Sequence, residues 1–173
     1  MGLSGIFYIF LPFKIEQVMS AFIGDYTCKV DSKGRVLLPS AFVKQLPART
    51  QDRFVVKKDI FENCLVLYSI QEWEHQNKLI RSKINPYKKE HNLFLRNFYR
   101  GTAELLLDNS NRLLLPKRLL LEVGIERDVI MAGQDSKIEI WSKKDYNAIA
   151  SGEDEFADLA ERIMDGPFQN YEE

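Results

Sequence analysis

The chain carries one 25-residue pattern twice, and nothing else in it constrains the fold as much. Residues 22–46 read FIGDYTCKVDSKGRVLLPSAFVKQL, and residues 99–123 read YRGTAELLLDNSNRLLLPKRLLLEV. At a constant offset of 77, Gly24 aligns with Gly101, Asp31 with Asp108, Arg35 with Arg112 and Pro39 with Pro116. Leu37 and Leu38 fall on Leu114 and Leu115. The likeness continues more loosely, with Leu65–Ser69 resembling Ile138–Ser142, and Trp73 and Tyr146 following four residues after each serine. A unit of roughly 50 residues is marginal alone, because so small a chain buries too little of its surface. Two copies in one chain are therefore expected to complete one shared core.

Local chemistry gives each copy the same order of elements. Asp-Ser-Lys-Gly at 31–34 and Asp-Asn-Ser-Asn at 108–111 are turn sequences. Aspartate bonds the amides ahead of it, and Gly34 or Asn111 tolerates a left-handed backbone. Apolar stretches reach each turn at Val30 and Leu107, and Val36–Leu38 and Leu113–Leu115 leave as short runs suited to core strands. Pro39 and Pro116 stop those strands and suit the start of a helix. Helices are expected at about 40–46 and 117–123, the second closed by Gly124. Further strands are expected near 53–58, 64–68, 128–132 and 137–141. The fold class is α+β and strand-rich, with a β-turn-β-α-β-β unit occurring twice.

Five segments result: an extension over 1–18, a first unit over 19–69, an insert over 70–98, a second unit over 99–147 and an acidic tail over 148–173. The insert places Trp73, Gln76, Leu79 and Ile80 on one helical face, breaks at Asn85-Pro86, and resumes with Leu93, Leu95 and Phe98. The tail has Phe156, Leu159 and Ile163 on one stripe, which suits a docked helix or a frayed end equally well. The apolar run IFYIFLPF at 6–13 is far shorter than the ~20 residues that span a bilayer. It lacks the basic lead of a signal peptide, and Ile6 stands where a myristoylation motif needs Ser or Thr. Met19 is a candidate start.

Charge is unevenly spread. The formal net charge is −1, yet residues 78–118 carry ten Lys/Arg against three Asp/Glu, and residues 119–173 carry five against fourteen. Such asymmetry suits an anionic partner, although solvated faces account for many charge runs. Arg35 and Arg112 are the sharpest candidates, because both stand directly after a turn in register. A β-ribbon fits the major groove, where arginine pairs bidentately with guanine or with phosphate. The competing reading is an Arg–Asp pair that only holds the hairpin. Asp31, Gly34, Asp108 and Asn111 are assigned to the turns. Lys33, Lys44, Lys117 and Arg118 lie near them and are candidates for phosphate contact. Lys88, Lys89, Arg96 and Arg100 in the insert suit phosphate or an acidic neighbour.

Catalytic chemistry finds little support. No glycine-rich phosphate loop, H-E-x-x-H or G-x-S-x-G occurs. His75 and His91 have no acid partner at useful spacing. Cys28 and Cys64 lack Cys-x-x-Cys spacing, which points to a reducing compartment and away from a zinc or disulfide framework. No cofactor, metal or small-molecule substrate is expected.

The duplicated D-x-x-G-R-x-x-x-P signature, the opening FIGDY and the insert ending RNFYRGTAEL resemble the MraZ family, within the group of AbrB-like swapped-hairpin DNA-binding domains. The resemblance covers about residues 20–150. It implies a pseudo-two-fold barrel built from two related halves. It implies a bacterial, cytoplasmic, nucleoid-associated transcriptional regulator without membrane attachment. Such a protein assembles into rings and binds short DNA repeats at the division and cell-wall gene cluster, including its own promoter. Carried across by motif, the DNA-facing arginines are Arg35 and Arg112. The second motif departs by having Asn111 in place of glycine. An antitoxin-like or RNA-binding protein of the same group, or a ring scaffold for division and envelope proteins, is the alternative.

Overall fold

The computed structural model describes residues 21–46, 52–149 and 153–166. The expectations for 1–18 and Met19 lie outside the described residues. In chain order, β1 (Asp25–Lys29), β2 (Arg35–Leu37), α1 (Ser40–Gln45), β3 (Arg53–Lys58) and β4 (Leu65–Ser69) come first. The insert follows as α2 (Ile70–Lys83) and α3 (Lys89–Tyr99). The same order of strands and helix then recurs as β5 (Ala103–Leu106), β6 (Arg112–Leu114), α4 (Lys117–Glu122), β7 (Asp128–Gln134) and β8 (Lys137–Ser142). Two helices follow among the described residues, α5 (Lys143–Ala148) and α6 (Glu153–Met164).

The class is α+β and strand-rich, with antiparallel sheets. Six strands form one sheet in the order β1-β7-β8-β4-β3-β5, and β2 and β6 form a second, two-stranded one. The opening strand of each copy pairs with the other copy's third strand, β1 with β7 and β5 with β3.

The expected closed barrel is not found. The large sheet is open and ends at β1 and β5, and no ladder joins those edges among the described residues. The reason lies in the partner that β2 takes. After its turn β2 bridges back at Val36 to Val30, just past β1, then pairs with β6.

The core lies between the sheets and the short helices. Phe42, fully buried, meets the rings of Phe22 and Tyr26 edge-on at 5.6 and 5.0 Å. Val36, Leu38, Leu113 and Leu115 bury from the ribbon side. Pro39 and Pro116 stand at the N-cap positions, just outside α1 and α4, not within them. Their carbonyls accept the first helical amides, Phe42 N at 2.9 Å and Leu119 N at 2.9 Å. Gly124, at φ 66°, closes α4 as expected, and Ile125 N donates back to Leu120 O at 2.9 Å.

The insert is anchored by stacking. Trp73 of α2 lies parallel to Phe98 of α3 at 5.8 Å, and the buried Lys57 Nζ sits 4.5 Å from the Phe98 ring centre. The break at Asn85-Pro86 is stabilised by His91, whose Nδ1 accepts the Asn85 amide at 2.9 Å. The helix α5 has no counterpart among the sequence expectations. It starts where Ser142 Oγ accepts the Asp145 amide at 3.1 Å. In α6 the stripe of Phe156, Leu159 and Ile163 is exposed. No helix among the described residues is long and apolar enough to cross a membrane.

Candidate nucleic-acid interface

Each hairpin turn is built by one aspartate. Asp31 Oδ1 accepts the amides of Lys33 and Arg35, both at 2.9 Å, and its Oδ2 accepts Arg35 Nε at 2.7 Å. Asp108 repeats the arrangement, with Oδ1 accepting from Ser110 at 2.8 Å and Arg112 at 2.9 Å, and Oδ2 from Arg112 Nε at 2.9 Å. Gly34 (φ 90°) and Asn111 (φ 57°) take the left-handed position in the two turns, and each amide donates to its aspartate's carbonyl at 2.9 Å. Glycine is required at 34 for a second reason: a Cβ there would lie 2.8 Å from the Leu115 carbonyl oxygen. Asn111 shows that the turn itself accepts a side chain where the φ is milder.

These bonds settle the electrostatics of the turns. The Arg35 amide, then its guanidinium, holds the Asp31 carboxyl below the usual carboxylate range. The Arg112 amide leads the same effect on Asp108. Both aspartates are therefore charged at neutral pH. The Arg–Asp pair weighed against DNA contact is present, yet it engages only Nε. Among the described residues no partner meets the terminal guanidinium nitrogens of Arg35 or Arg112. Nε of each fork holds the hairpin, and the two side chains are 34% and 38% exposed.

The ribbon register sets the two forks in place. Arg35 stands opposite Leu114, and Leu37 opposite Arg112. With a side-chain period of two, Val36 and Leu113 point into the core, and Arg35, Leu37, Arg112 and Leu114 share the outward face. The expectation that Val36–Leu38 and Leu113–Leu115 are core strands is thus corrected at Leu37 and Leu114, which are 56% and 57% exposed. The alternation was available in the sequence, because a strand that buries Val36 and Leu38 must turn Leu37 out.

The remaining candidates are less concentrated. Lys33 is exposed at the tip of the first hairpin, and its counterpart in the second is Ser110. Lys44 lies in the last turn of α1, and Lys117 opens α4, both exposed. Arg118 is committed within the protein, since its Nη2 donates to the Gly101 carbonyl at 2.7 Å.

Among the described residues no arrangement for catalysis accompanies the ribbon. Burial pushes the Cys64 thiol up, and Cys28 likewise, so neither offers a thiolate at neutral pH. No metal-holding group of His, Cys, Asp and Glu occurs among the described residues.

The sequence profile of the family described as "MraZ protein, putative antitoxin-like" matches this chain twice, over residues 21–97 and 98–166. The chain belongs to the MraZ family. It is similar to the transcriptional regulator MraZ of Christiangramia forsetii, 43% identical over 143 residues, which cover 82% of this chain and 92% of the relative. That of Flavobacterium psychrophilum is 40% identical over 147 residues, covering 84% and 93%. That of Bacteroides fragilis is 36% identical over 146 residues, covering 84% and 92%. MraZ proteins are transcriptional regulators, not enzymes. The two profile matches meet between Asn97 and Phe98, so the insert helix α3 is shared between them.

Proposed function

We propose that this chain is a DNA-binding transcriptional regulator whose β2–β6 ribbon grips duplex DNA. The observation that carries the reading is the pair of half-committed guanidinium groups, Arg35 and Arg112, on one outward ribbon face. An arginine fixed through Nε keeps a preorganised fork, so little side-chain freedom is lost on contact with guanine or phosphate. Lys33, Lys44 and Lys117 add phosphate contacts around it. Arg118, tied to Gly101, supports the entry to β5. The family's name as transcriptional regulator supports the same partner.

In this reading the two copies are duplicated halves related by a pseudo-two-fold axis, and the exchanged pairings β1–β7 and β5–β3 are its mark. The operator is a set of short repeats, at the division and cell-wall genes and the protein's own promoter, in the bacterial cytoplasm at the nucleoid. A subunit of net charge −1 binds a polyanion weakly by bulk charge. Assembly into a ring aligns several ribbons and makes each further repeat nearly intramolecular. Two features support self-association: the exposed apolar stripe of the acidic α6, and the exposed Lys89, Leu93, Arg96 and Arg100 along α3. The "antitoxin-like" wording of the family description keeps an RNA-binding or antitoxin-like role as the second reading.

Gel-shift titration at fixed salt tests the proposal. The full chain is expected to bind genomic duplex fragments recovered by their affinity for it, and RNA is expected not to compete. Arg35→Ala and Arg112→Ala are each expected to weaken binding, by about 1–3 kcal/mol if a bidentate base contact is lost. Unchanged affinity in both variants removes the arginines from the interface.

A further inference from the structure

The ribbon's outward face holds two leucines that duplex binding through arginine does not use. We propose that Leu37 and Leu114 read sequence, each packing on a thymine methyl in the major groove beside an arginine contact. The inference rests on the duplex-binding reading above and deepens it.

The geometry begins with the ladder. Leu38 N donates to Asn111 O, and Leu115 N donates to Gly34 O, both at 2.8 Å. These bonds fix positions 38:111 and 34:115 as hydrogen-bonded pairs. Alternation along an antiparallel ladder then makes 35:114 and 37:112 the non-hydrogen-bonded pairs, whose Cα atoms lie about 4.5 Å apart with side chains close together. Along each strand, residues two apart are separated by about 6.7 Å. Arg35, Leu114, Leu37 and Arg112 therefore form one small patch with the leucines on one diagonal and the arginines on the other.

Such a patch suits a groove floor better than bulk water. Leu37 and Leu114 are more than half exposed, while Val36 and Leu113 beneath them are buried. Exposed leucine on a two-stranded ribbon adds nothing to the core. The major groove, about 12 Å wide, admits a ribbon of this kind, and the thymine C5 methyl is the one apolar group on its floor. Flanking guanidinium groups whose terminal nitrogens meet no partner among the described residues select a polyanion over an apolar protein surface. Both leucines occur at equivalent positions of the two copies, so two sites of like chemistry are presented together.

The test uses the full chain and a genomic duplex that it binds, alongside the same duplex with every thymine replaced by deoxyuridine. That exchange removes the methyl and leaves base pairing and phosphates intact. Fluorescence anisotropy is expected to show about four-fold weaker binding per contacted methyl, the equivalent of one buried methyl-sized group. The double variant Leu37→Ala/Leu114→Ala is expected to bind both duplexes equally, with assembly mass and salt dependence retained. No penalty on uracil, or a penalty that survives in the double variant, overturns the inference while leaving arginine-mediated binding intact. Loss of assembly mass in the double variant with uracil discrimination unchanged assigns the leucines to an interface between copies and overturns it as well. Failure to bind any duplex overturns both readings.

Discussion

Asp31 and Asp108 each accept two backbone amides on one oxygen and an arginine Nε on the other. A carboxyl held below its ordinary range in the folded state adds stability above its unfolded value, near ~3.9, and loses it as pH falls through the lower folded value. Asp31→Asn should therefore melt below the parent at neutral pH, and the gap should close on acidification below about pH 4. Melting curves of both proteins across that window check this; a gap that stays constant down to pH 2.5 would contradict it. The turn chemistry was legible in the sequence because it is local: the aspartate, its arginine four residues on and the left-handed residue between them specify one another. Which atoms of the arginine stay free was not legible, since a pattern of residue types does not separate Nε from the terminal nitrogens. The outward leucines were legible in principle and were hidden by their hydrophobic neighbours.

Among the elements, the short helices after Pro39 and Pro116, the strands and the break at Asn85-Pro86 follow from local rules. The helix α5 went unanticipated because six residues, Lys143–Ala148, are too few to show a period. Its start was nevertheless encoded by Ser142 followed three residues later by Asp145. The approach of the chain at 22–24 to β7 depends on a position that carries no local signal at all. A Cβ on Gly133 would lie 2.4 Å from the Phe22 carbonyl oxygen, which is backbone and cannot swing away. Gly133→Ala should cost about 1–3 kcal/mol, in the range of overpacked cores, and lower the denaturant midpoint without changing its slope. An unchanged midpoint would show that the chain at 22–24 yields to the added methyl without cost.

For the whole molecule, strands from both repeated segments enter one sheet, through β1–β7 and β5–β3 pairing. The closed barrel was not foretold correctly, because sheet closure depends on where β2 and β6 go after the turn, and they choose one another across 77 residues of sequence. The acidic α6 belongs to this scale too: among the described residues its stripe of Phe156, Leu159 and Ile163 is exposed. Removing residues 150–173 should lower the number of subunits per particle and, through lost avidity, weaken binding to a multi-repeat duplex more than to a single repeat. An unchanged subunit number by light scattering would exclude α6 from assembly. The central claim, that paired guanidinium groups of one ribbon meet the duplex, is tested most directly by the salt dependence of affinity. Arg35→Ala/Arg112→Ala should keep its assembly mass, lose selective binding, and, where both groups neutralise phosphate, reduce the slope of log affinity against log salt by about 1.8 for each ribbon engaged. The same affinity and the same slope as the parent would contradict the account.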